Sequence, residues 1–407
     1  MTSPSNSFAN CSLLGGRTNF QSYIQTVNST TGFSVSLLEA CKGEICNSLW
    51  GDGNGDISGI GMVVGYFLAS ILGLVFTALL ALTSQIPTPQ RKVLISGFKT
   101  YFNSLIYFSA SIQIASLIVL IRKDFGISAN GLGGFTVQIT WAVALLCMLP
   151  LLYPMVALPH YDGDYRLEEG RKYRLALFES CWCLWVYPFI SSMIGILAPS
   201  QVGSGAGPDQ TTIVTADEWA VLRSLCMEGV HELSNAEEKA LQGFVVLDGL
   251  IVTLFGFILL LWFIITQIPQ LQSSANAIKA YFSEEIFPQN RKRVVTAILL
   301  LIVLPTLTIP HFWGIMRLRS IQQQMAEGSR GVYTDNQWTF GQVVSFMIFV
   351  PVVVEMVRTW YRERRLEKEE ARKRRIGKRR TKPSREESGE LASTPSVRAA
   401  ALEGSRE

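Results

Sequence analysis

The sequence predicts an all-α membrane protein, a polytopic bundle of about seven helices that cross a lipid bilayer. Hydrophobic residues make up 48% of the chain and charged residues only 17%, and the mean hydropathy is +0.26. The charges are concentrated in short stretches between apolar runs and near the C-terminus. Because a bilayer core takes roughly 20 apolar residues per helix and offers backbone groups no partner, long apolar runs are expected to be spanning helices.

Seven apolar runs meet this length requirement, at residues 57–82, 101–121, 132–158, 173–198, 243–268, 294–316 and 339–360. The first, second, fifth and sixth runs are much more apolar than the residues that flank them. The third and fourth contain Pro150, Pro154 and Pro188, and proline removes a helical hydrogen bond. Kinked or re-entrant segments, and a total of six or eight crossings, therefore stay open as alternatives.

The basic residues predict an N-terminus that is outside or lumenal and a cytosolic C-terminus. The short loops after helices one, three and five are rich in Lys and Arg, which marks the cytosolic side. The long loop 199–242 carries seven acidic residues but only Arg223 and Lys239 as basic ones. The chain thus divides into an exterior segment 1–56, a bundle 57–360 and a tail 361–407, in the endoplasmic reticulum or plasma membrane.

The exterior side is expected to carry glycans and disulfide bonds. Asn10 and Asn28 each begin an N-glycosylation sequon. Four cysteines fall on the same side, where disulfides persist, and they allow three pairings: Cys11, Cys41, Cys46 and Cys226. A bond from Cys41 or Cys46 to Cys226 would hold the long loop over the bundle.

The tail is the basic part of the protein. Residues 358–382 contain thirteen Lys or Arg and four Glu, a pattern that continues helix seven as a solvated helix before a disordered end. A topology-fixing signal is the favoured interpretation, and binding of anionic lipid headgroups is the alternative. The bilayer and a hydrophobic small molecule are the expected partners, and no nucleic acid is.

An internal repeat is a further possibility. The segment 84–87 (SQIP) followed by 99–102 (KTYF) resembles 266–269 (TQIP) followed by 279–282 (KAYF). Gln138 and Gln342 lie at comparable points of helices three and seven. A three-plus-one-plus-three repeat is used by some transporters, whereas common preferences of membrane-exit loops explain the similarity without a repeat.

Ionisable residues inside a membrane are costly and rare, so each is a functional candidate. Glu179 and Glu355 have basic residues nearby, including Arg174 and Arg358 respectively, and are expected to form structural pairs. Asp248 has no basic residue within four positions. It is expected in the outer leaflet with other polar residues near the exterior helix ends: Asp52, Asp56, Gln138, His311, Trp338 and Gln342.

These residues suggest proton-transfer chemistry. A carboxyl group in a water-poor cavity can hold a proton for delivery, and the candidate acids are Asp248, Asp52 and Asp56. Aromatic and polar side chains can stabilise a cation, and the candidate lining residues are Gln138, Trp141, Trp182, Trp185, His311, Trp313 and Gln342. Acid-initiated cyclisation of a prenyl chain requires these parts. A permeation path, a ligand pocket, or helix-packing hydrogen bonds with an aromatic belt would use the same residues.

Metal and cofactor sites are not expected. The segment 52–56 (DGNGD) resembles the start of a calcium loop, but Ile57 and Val63 replace the glycine and the bidentate glutamate of that motif. A tight turn into helix one is the favoured interpretation. The sequence also has no GxGxxG, Walker, HExxH, GxSxG or CxxC motif.

Residues 45–61 (ICNSLWGDGNGDISGIG) and 338–344 (WTFGQVV) resemble a large group of multipass membrane proteins of filamentous fungi. The resemblance covers the membrane body and not the tails. The group includes or lies near the integral-membrane terpene cyclases of meroterpenoid pathways such as ascofuranone and macrophorin. It implies cyclisation of a prenylated phenol or quinone, or its epoxide, by protonation inside the membrane without cofactor or metal, but it matches no catalytic residue to a position here.

The function expected from the residues and the resemblance is that of a membrane-bound, terpene cyclase-like enzyme of fungal secondary metabolism. A small-molecule transporter is the second interpretation, based on the possible repeat. A seven-helix receptor is the third. The end of helix three has no DRY-type triplet and helix seven has no NPxxY pattern, which disfavours the receptor.

Overall fold

The fold is given by a computed structural model of the 407-residue chain. It describes residues 11, 35–51, 53–82, 88–122, 134–161, 168–197, 216–268, 295–296, 298–329, 333, 335 and 338–380. Two units are distinguished, one up to Thr359 and one from Trp360 onward. The sequons at Asn10 and Asn28, Asp52, and most of the repeated SQIP and KTYF-like segments lie outside the described residues.

The described chain is helical and contains no strand. Its α-helices are α1 (Val35–Ala40), α2 (Lys42–Trp50), α3 (Ile60–Ala81), α4 (Thr88–Arg122), α5 (Gly134–Tyr161), α6 (Glu168–Leu197), α7 (Ala216–Cys226), α8 (Asn235–Gln267), α9 (Leu304–Ser329), α10 (Phe340–Met347) and α11 (Val350–Arg380). A π-helical turn, Leu299–Val303, precedes α9.

Seven of these segments are long and apolar enough to cross a membrane, which confirms the all-α polytopic bundle. They begin in α3, α4, α5, α6, α8, the π-turn before α9, and α10. The third and fourth are continuous despite their prolines: α5 has 28 residues and α6 has 30. Each is longer than the ~20 residues that a bilayer requires, so the prolines do not shorten either crossing.

α5 is the central helix of the bundle. Of its spanning window, 89% is buried, compared with 50% for the next most buried span, that of α4. It packs against α3, α4, α6, α8 and α9. The other spans keep an apolar face exposed, as expected for helices that contact lipid on one side.

Several helices extend beyond the predicted spans. α8 begins at Asn235, eight residues before the apolar run, because Ser234 and Glu237 form a reciprocal capping box there. α9 continues to Ser329 and carries Met325 into a small second core. α11 continues through the basic residues to Arg380.

A small cap covers the end of the bundle where α2 and α7 lie. We define the cap as Cys11, α1, α2 and α7, and call that end the cap side. Its core includes Leu38, Ile45, Leu49 and Leu222, with Met325 of α9. Disulfides join Cys11 to Cys41 and Cys46 to Cys226, so of the two pairings considered for Cys226 the structure has the one with Cys46.

The second unit is described by the remainder of α11, in which most side chains are exposed. The Arg364 guanidinium lies 4.3 Å from the ring centroid of Trp360, a cation–π contact at the start of this unit. Arg374 and Glu370 form an exposed i,i+4 ion pair. Such pairs contribute little, about 0.3–0.5 kcal/mol.

Candidate functional site

Two helices bring Asp248 and His311 together inside the bundle. His311 Nε2 lies 2.6 Å from Asp248 Oδ2, and both side chains are 0% exposed. The residues are 63 positions apart, on α8 and α9. The sequence shows no local cation for Asp248, and the partner is instead supplied by tertiary packing.

Two polar atoms of the Asp248–His311 pair make no hydrogen bond. Asp248 Oδ1 and His311 Nδ1 are both buried and have no hydrogen-bond partner in the described part of the chain. A carboxylate bonded to one imidazole nitrogen fixes the ring orientation and leaves the other nitrogen to donate or accept a proton. His311 Nδ1 is therefore an atom at which proton transfer can occur, with Asp248 holding the ring.

Helical spacing explains why Asp248 faces α9. Leu241, Val245, Asp248 and Val252 recur at intervals of three or four residues, so they share one face of α8. All four are buried, and α8 packs against α9. On α9, His311 and Gly314 lie one turn apart, and a Cβ at Gly314 would collide with Leu241.

A cavity of about 380 Å³ lies on the cap side of this pair. It is lined mainly by α2, α5, α7, α8 and the end of α6. The lining side chains include Leu49, Trp50, Phe135, Gln138, Trp141, Ile196, Arg223, Met227, Glu232, Glu238, Leu241, Gln242 and Val245. Its volume falls within the range of small-molecule sites, about 300–1,000 Å³.

Leu241 and Val245 line the cavity and precede Asp248 by two turns and one turn on the same face of α8, and we call these two side chains the partition. Leu241 also contacts the α9 backbone region at Gly314, one turn from His311. Neither Asp248 nor His311 lines the cavity, and both side chains are fully buried.

The polar groups of the cavity are mostly paired with one another. Arg223 bonds Glu232, and this hydrogen bond raises the pKa of the Arg223 guanidinium. Gln242 Nε2 donates to Glu238 Oε1 at 3.2 Å. The rim thus carries one cation and two acidic groups, an arrangement that does not favour an anionic ligand.

Trp141 is a fixed wall of the same cavity. Its indole Nε1 donates to Ser191 Oγ at 3.3 Å, which orients the ring, and the side chain is buried. Phe135 and Trp50 add two further aromatic side chains. Aromatic faces of this kind stabilise a cation that develops beside them.

Asp56 and Gln342 belong to a different structure, which we call the clasp. Gln342 Oε1 accepts from Gly61 N at 3.1 Å, and Gln342 Nε2 donates to Gly55 O at 3.1 Å. Thr339 Oγ1 donates to Asp56 Oδ1 at 2.9 Å. The clasp joins the two stretches 45–61 and 338–344, so their unusual composition has a packing role.

The turn of the clasp is held by side-chain hydrogen bonds. Asn54 Oδ1 accepts from Asp56 N at 3.1 Å, the pattern of an Asx-turn that leads the chain toward α3. Among the described residues no three His, Cys, Asp or Glu side chains are grouped to hold a metal. The oxygen ligands of the calcium-like segment that the structure describes are used for hydrogen bonds.

The remaining predicted site residues are dispersed. Trp182 is buried against Gly256 of α8, and Trp185 stacks on Phe189 with centroids 4.9 Å apart. Trp313 is 44% exposed. The structure therefore divides the predicted outer-leaflet residues into three places: Asp248 with His311, Gln138 with Trp141 in the cavity, and Asp56 with Gln342 in the clasp.

The expected structural ion pairs are absent from the described residues. Glu355 accepts hydrogen bonds from Ser96 at 3.0 Å and Thr359 at 3.1 Å, and no ion pair joins it to Arg358. Neither carboxylate oxygen of Glu179 has a hydrogen-bond partner. Sequence proximity failed here because i+3 or i+5 spacing does not require two long side chains to turn toward each other.

Sequence reasoning missed the partition and a buried ion pair. Leu241 and Val245 look like ordinary lipid-facing residues, although their spacing to Asp248 places them on its face. Arg319 Nε lies 3.4 Å from Asp335 Oδ2, with side chains 8% and 0% exposed. No sequence signal pairs these two, since Arg319 lies within α9 and Asp335 lies in the loop that follows this helix.

Comparisons of the chain with protein-family models, curated proteins and solved structures find no match. The function is therefore inferred from the geometry of the Asp248–His311 pair and the cavity beside it.

Proposed function

We propose that this multipass membrane protein is an enzyme that isomerises a hydrophobic small molecule by proton transfer at Asp248 and His311. The observation that carries the proposal is the fully buried pair with its two unpartnered atoms. Val245, one helical turn from Asp248, lines a cavity large enough for a small molecule. Buried ionisable groups inside a membrane are rare and usually functional. A pair that can both release and take up a proton fits catalysis without a cofactor.

The reaction we propose is a terpene cyclase-like cyclisation. A proton leaves His311 Nδ1 or Asp248 Oδ1 and bonds to an alkene carbon or an epoxide oxygen of the prenyl chain. An alkene π-bond then attacks the resulting cationic carbon and forms a carbon–carbon bond. Loss of a proton from the cyclised cation returns that proton to the pair, so the product is an isomer of the substrate and no oxidant or reductant is consumed.

The cavity suits a substrate with a neutral polar head and an apolar chain. Gln138, Gln242 and the rim charges offer hydrogen bonds near the cap. Trp141 and Phe135 provide aromatic faces beside the path of a cationic intermediate. A prenylated phenol or quinone has both features, and the resemblance of residues 45–61 and 338–344 to the meroterpenoid cyclase group supports that class.

The cap side is proposed to be exterior or lumenal. Two disulfides lie there, and disulfides persist in oxidising compartments. Removing the sequon at Asn10 or Asn28 by Asn→Gln is expected to abolish a glycosidase-sensitive mobility shift of the expressed protein. Leu391→Asn creates a sequon in the tail as a control, and its glycosylation would contradict the orientation.

The enzymatic test uses microsomes that contain the protein. They are incubated with farnesyl hydroquinone and its terminal epoxide, and chromatography with mass detection searches for a new product of unchanged mass. Asp248→Asn and His311→Gln are each expected to lower product formation by about 100-fold or more, the usual contribution of general acid–base groups. Glu355→Gln is the matched control, because it neutralises a carboxyl group that has hydroxyl partners and lies outside the site.

A transporter is the second candidate, because the same pair beside a cavity at one end of the bundle also suits proton-coupled movement of a ligand. Uptake of the labelled hydroquinone into sealed vesicles, lost in Asp248→Asn and without any isomeric product, would favour it. Product formation at the wild-type rate by the double variant Asp248→Asn/His311→Gln would contradict the enzymatic proposal.

A further inference from the structure

Glu179 is a second carboxyl group buried within a membrane-spanning helix, on α6. Its side chain is 7% exposed, and neither Oε1 nor Oε2 has a hydrogen-bond partner in the described ranges. Glu355 provides the contrast, since its Oε1 accepts from two hydroxyl groups. Glu179 thus lacks the contacts by which a buried carboxylate is ordinarily stabilised.

A second unpartnered polar group lies one turn away on α6. Trp182 Nε1 is buried without a hydrogen-bond acceptor, and the indole occupies a notch that exists because residue 256 of α8 is a glycine. Phe178 packs against Phe255 at the same interface, with centroids 6.0 Å apart. The surroundings of Glu179 on this side are therefore aromatic and apolar.

The helices that pack against α6 bring no charge to this depth. Cys181 bonds Ser109 of α4, and Lys99 is ten residues from Ser109, or about 15 Å along the helix. On α8, Asp248 is eight residues from Gly256, or about 12 Å. The titratable groups that α5 and α6 place nearest this level are Cys147, Cys181 and Tyr153, which are all neutral in their ordinary state. The nearest charge on α6 is Arg174, five residues before Glu179 or about 7.5 Å along the helix, and neither Glu179 oxygen bonds it.

We propose that Glu179 is a proton-binding site, whose carboxyl group holds an exchangeable proton at neutral pH and lies apart from the Asp248–His311 pair. A proton is the ligand that fits, because a lone carboxyl group offers a metal ion too few oxygens. A carboxylate left ionised there would be uncompensated in a low-dielectric interior. The bundle then holds protons at two depths, one on α6 and one at the α8–α9 contact.

Carbodiimide labelling tests the proposal. Dicyclohexylcarbodiimide partitions into apolar regions and converts protonated carboxyl groups to stable acylureas, which peptide mass spectrometry locates. In the full-length protein in lipid nanodiscs, we expect an adduct at Glu179 at pH 7 that decreases about tenfold or more at pH 9, as deprotonation removes the reactive form. Glu179→Gln removes the adduct, and Asp248→Asn leaves it unchanged.

The result that overturns the proposal is equally specific. Equal labelling of Glu179 by a water-soluble carbodiimide would show a water-exposed carboxylate, and absence of the adduct at pH 7 would show an ionised or inaccessible group. Thermal melting distinguishes an ionised group from one that the reagent does not reach. A protonated Glu179 predicts that Glu179→Gln melts within about 2 °C of wild type at pH 7. Absence of the adduct together with a larger loss refutes the site, whereas absence of the adduct with a loss inside this margin supports a protonated group that the reagent does not reach. Loss of isomerase activity alone bears only on Asp248 and His311.

Discussion

His311 Nε2 lies 2.6 Å from Asp248 Oδ2, so a buried polar contact joins α8 to α9 in the interior of the bundle. Removing one partner of a buried pair leaves the other uncompensated, which costs about 3–5 kcal/mol. We therefore expect Asp248→Leu and His311→Leu each to lower the melting temperature strongly. The double variant should recover part of the loss, because it leaves no unpaired polar group.

The measurement for this prediction is a double-mutant cycle on protein purified in one detergent. The interaction energy is expected to fall in the range of about 0.5–3 kcal/mol that coupled neighbours show. Strictly additive effects of the two substitutions would mean that the side chains do not interact in the folded protein. Trp313→Leu changes an exposed position of the same helix. It controls for a loss of stability that any substitution in α9 would cause.

The clasp predicts a second, independent stability effect. Gln342 is fully buried, and its side chain satisfies the Gly61 N–H and the Gly55 carbonyl. Gln342→Leu keeps the bulk but leaves both backbone groups unpaired, at about 1–3 kcal/mol for each. The variant should melt at a clearly lower temperature. Val343→Ala, at an exposed neighbouring position, should change the melting temperature little, and equal losses in both variants would contradict this role.

A related substitution tests the close approach of α3 and α10. A Cβ at Gly61 would lie 2.6 Å from Gln342 Cβ, closer than real Cβ contacts. Gly61→Ala therefore has to separate the two helices locally and break the same hydrogen bonds. Its effect and that of Gln342→Leu should be less than additive, since both disrupt one contact.

The sequence predicted the bundle well because each spanning helix is determined by its own composition. Seven apolar runs are visible without knowledge of their neighbours, and lipid requires each to form a helix. Proline did not interrupt α5 or α6, where the residues around Pro150 and Pro188 stay helical. Predicted boundaries were short at α8 and α9, because caps and polar turns extend a helix beyond its apolar part.

The site was predicted only in part, because it depends on which faces of different helices meet. Asp248 was recognised by its unusual location, and His311 was included as a lining residue. Their contact across 63 positions could not be derived from spacing along one helix. The polar residues near the helix ends also separate into the cavity and the clasp, since equal depth in a membrane does not place side chains on facing surfaces.

Asp335 predicts a pH dependence of stability. It lies in the loop before α10, and burial raises the pKa of its carboxyl group above the usual range, although Ser58, Arg319 and Asn54 act in the opposite direction. The folded protein therefore binds this proton more tightly than the unfolded chain. The resulting stabilisation is present below the unfolded pKa, about 3.9, and is lost as the pH rises through the raised folded value.

The Asp335→Asn variant cannot ionise at this position, so its stability should lack the part of the pH dependence that comes from Asp335. Melting temperatures of wild type and variant are measured from pH 4 upward in the same detergent. The effects of the other titrating groups cancel in the difference between the two melting temperatures. As the pH rises, the melting temperature of the variant is expected to increase relative to that of wild type. A constant difference over the whole range would mean that Asp335 ionises at the same pH in both states.

The partition of Leu241 and Val245 predicts how His311 becomes reachable. In the wild-type protein the His311 side chain is fully buried, so diethylpyrocarbonate, which acylates neutral imidazole, should modify it slowly. His231 is exposed on the cap side and serves as an internal standard for reagent activity. Leu241→Ala/Val245→Ala removes the two side chains of the partition and is expected to raise the His311 modification rate about tenfold or more toward that of His231, as local access controls such reactions.

A matched control separates the partition from general loosening of α8. Leu247 and Leu250 lie on the same helix but are half-exposed toward the bundle surface, so Leu247→Ala/Leu250→Ala removes comparable apolar volume on the opposite face. This variant should leave the His311 rate unchanged. Modification of His311 as fast as His231 in the wild type, or equal acceleration in both double variants, would show that Leu241 and Val245 do not control access. A substrate that reaches the pair through the cavity must displace the same two side chains, which is why their size is expected to influence turnover as well as labelling.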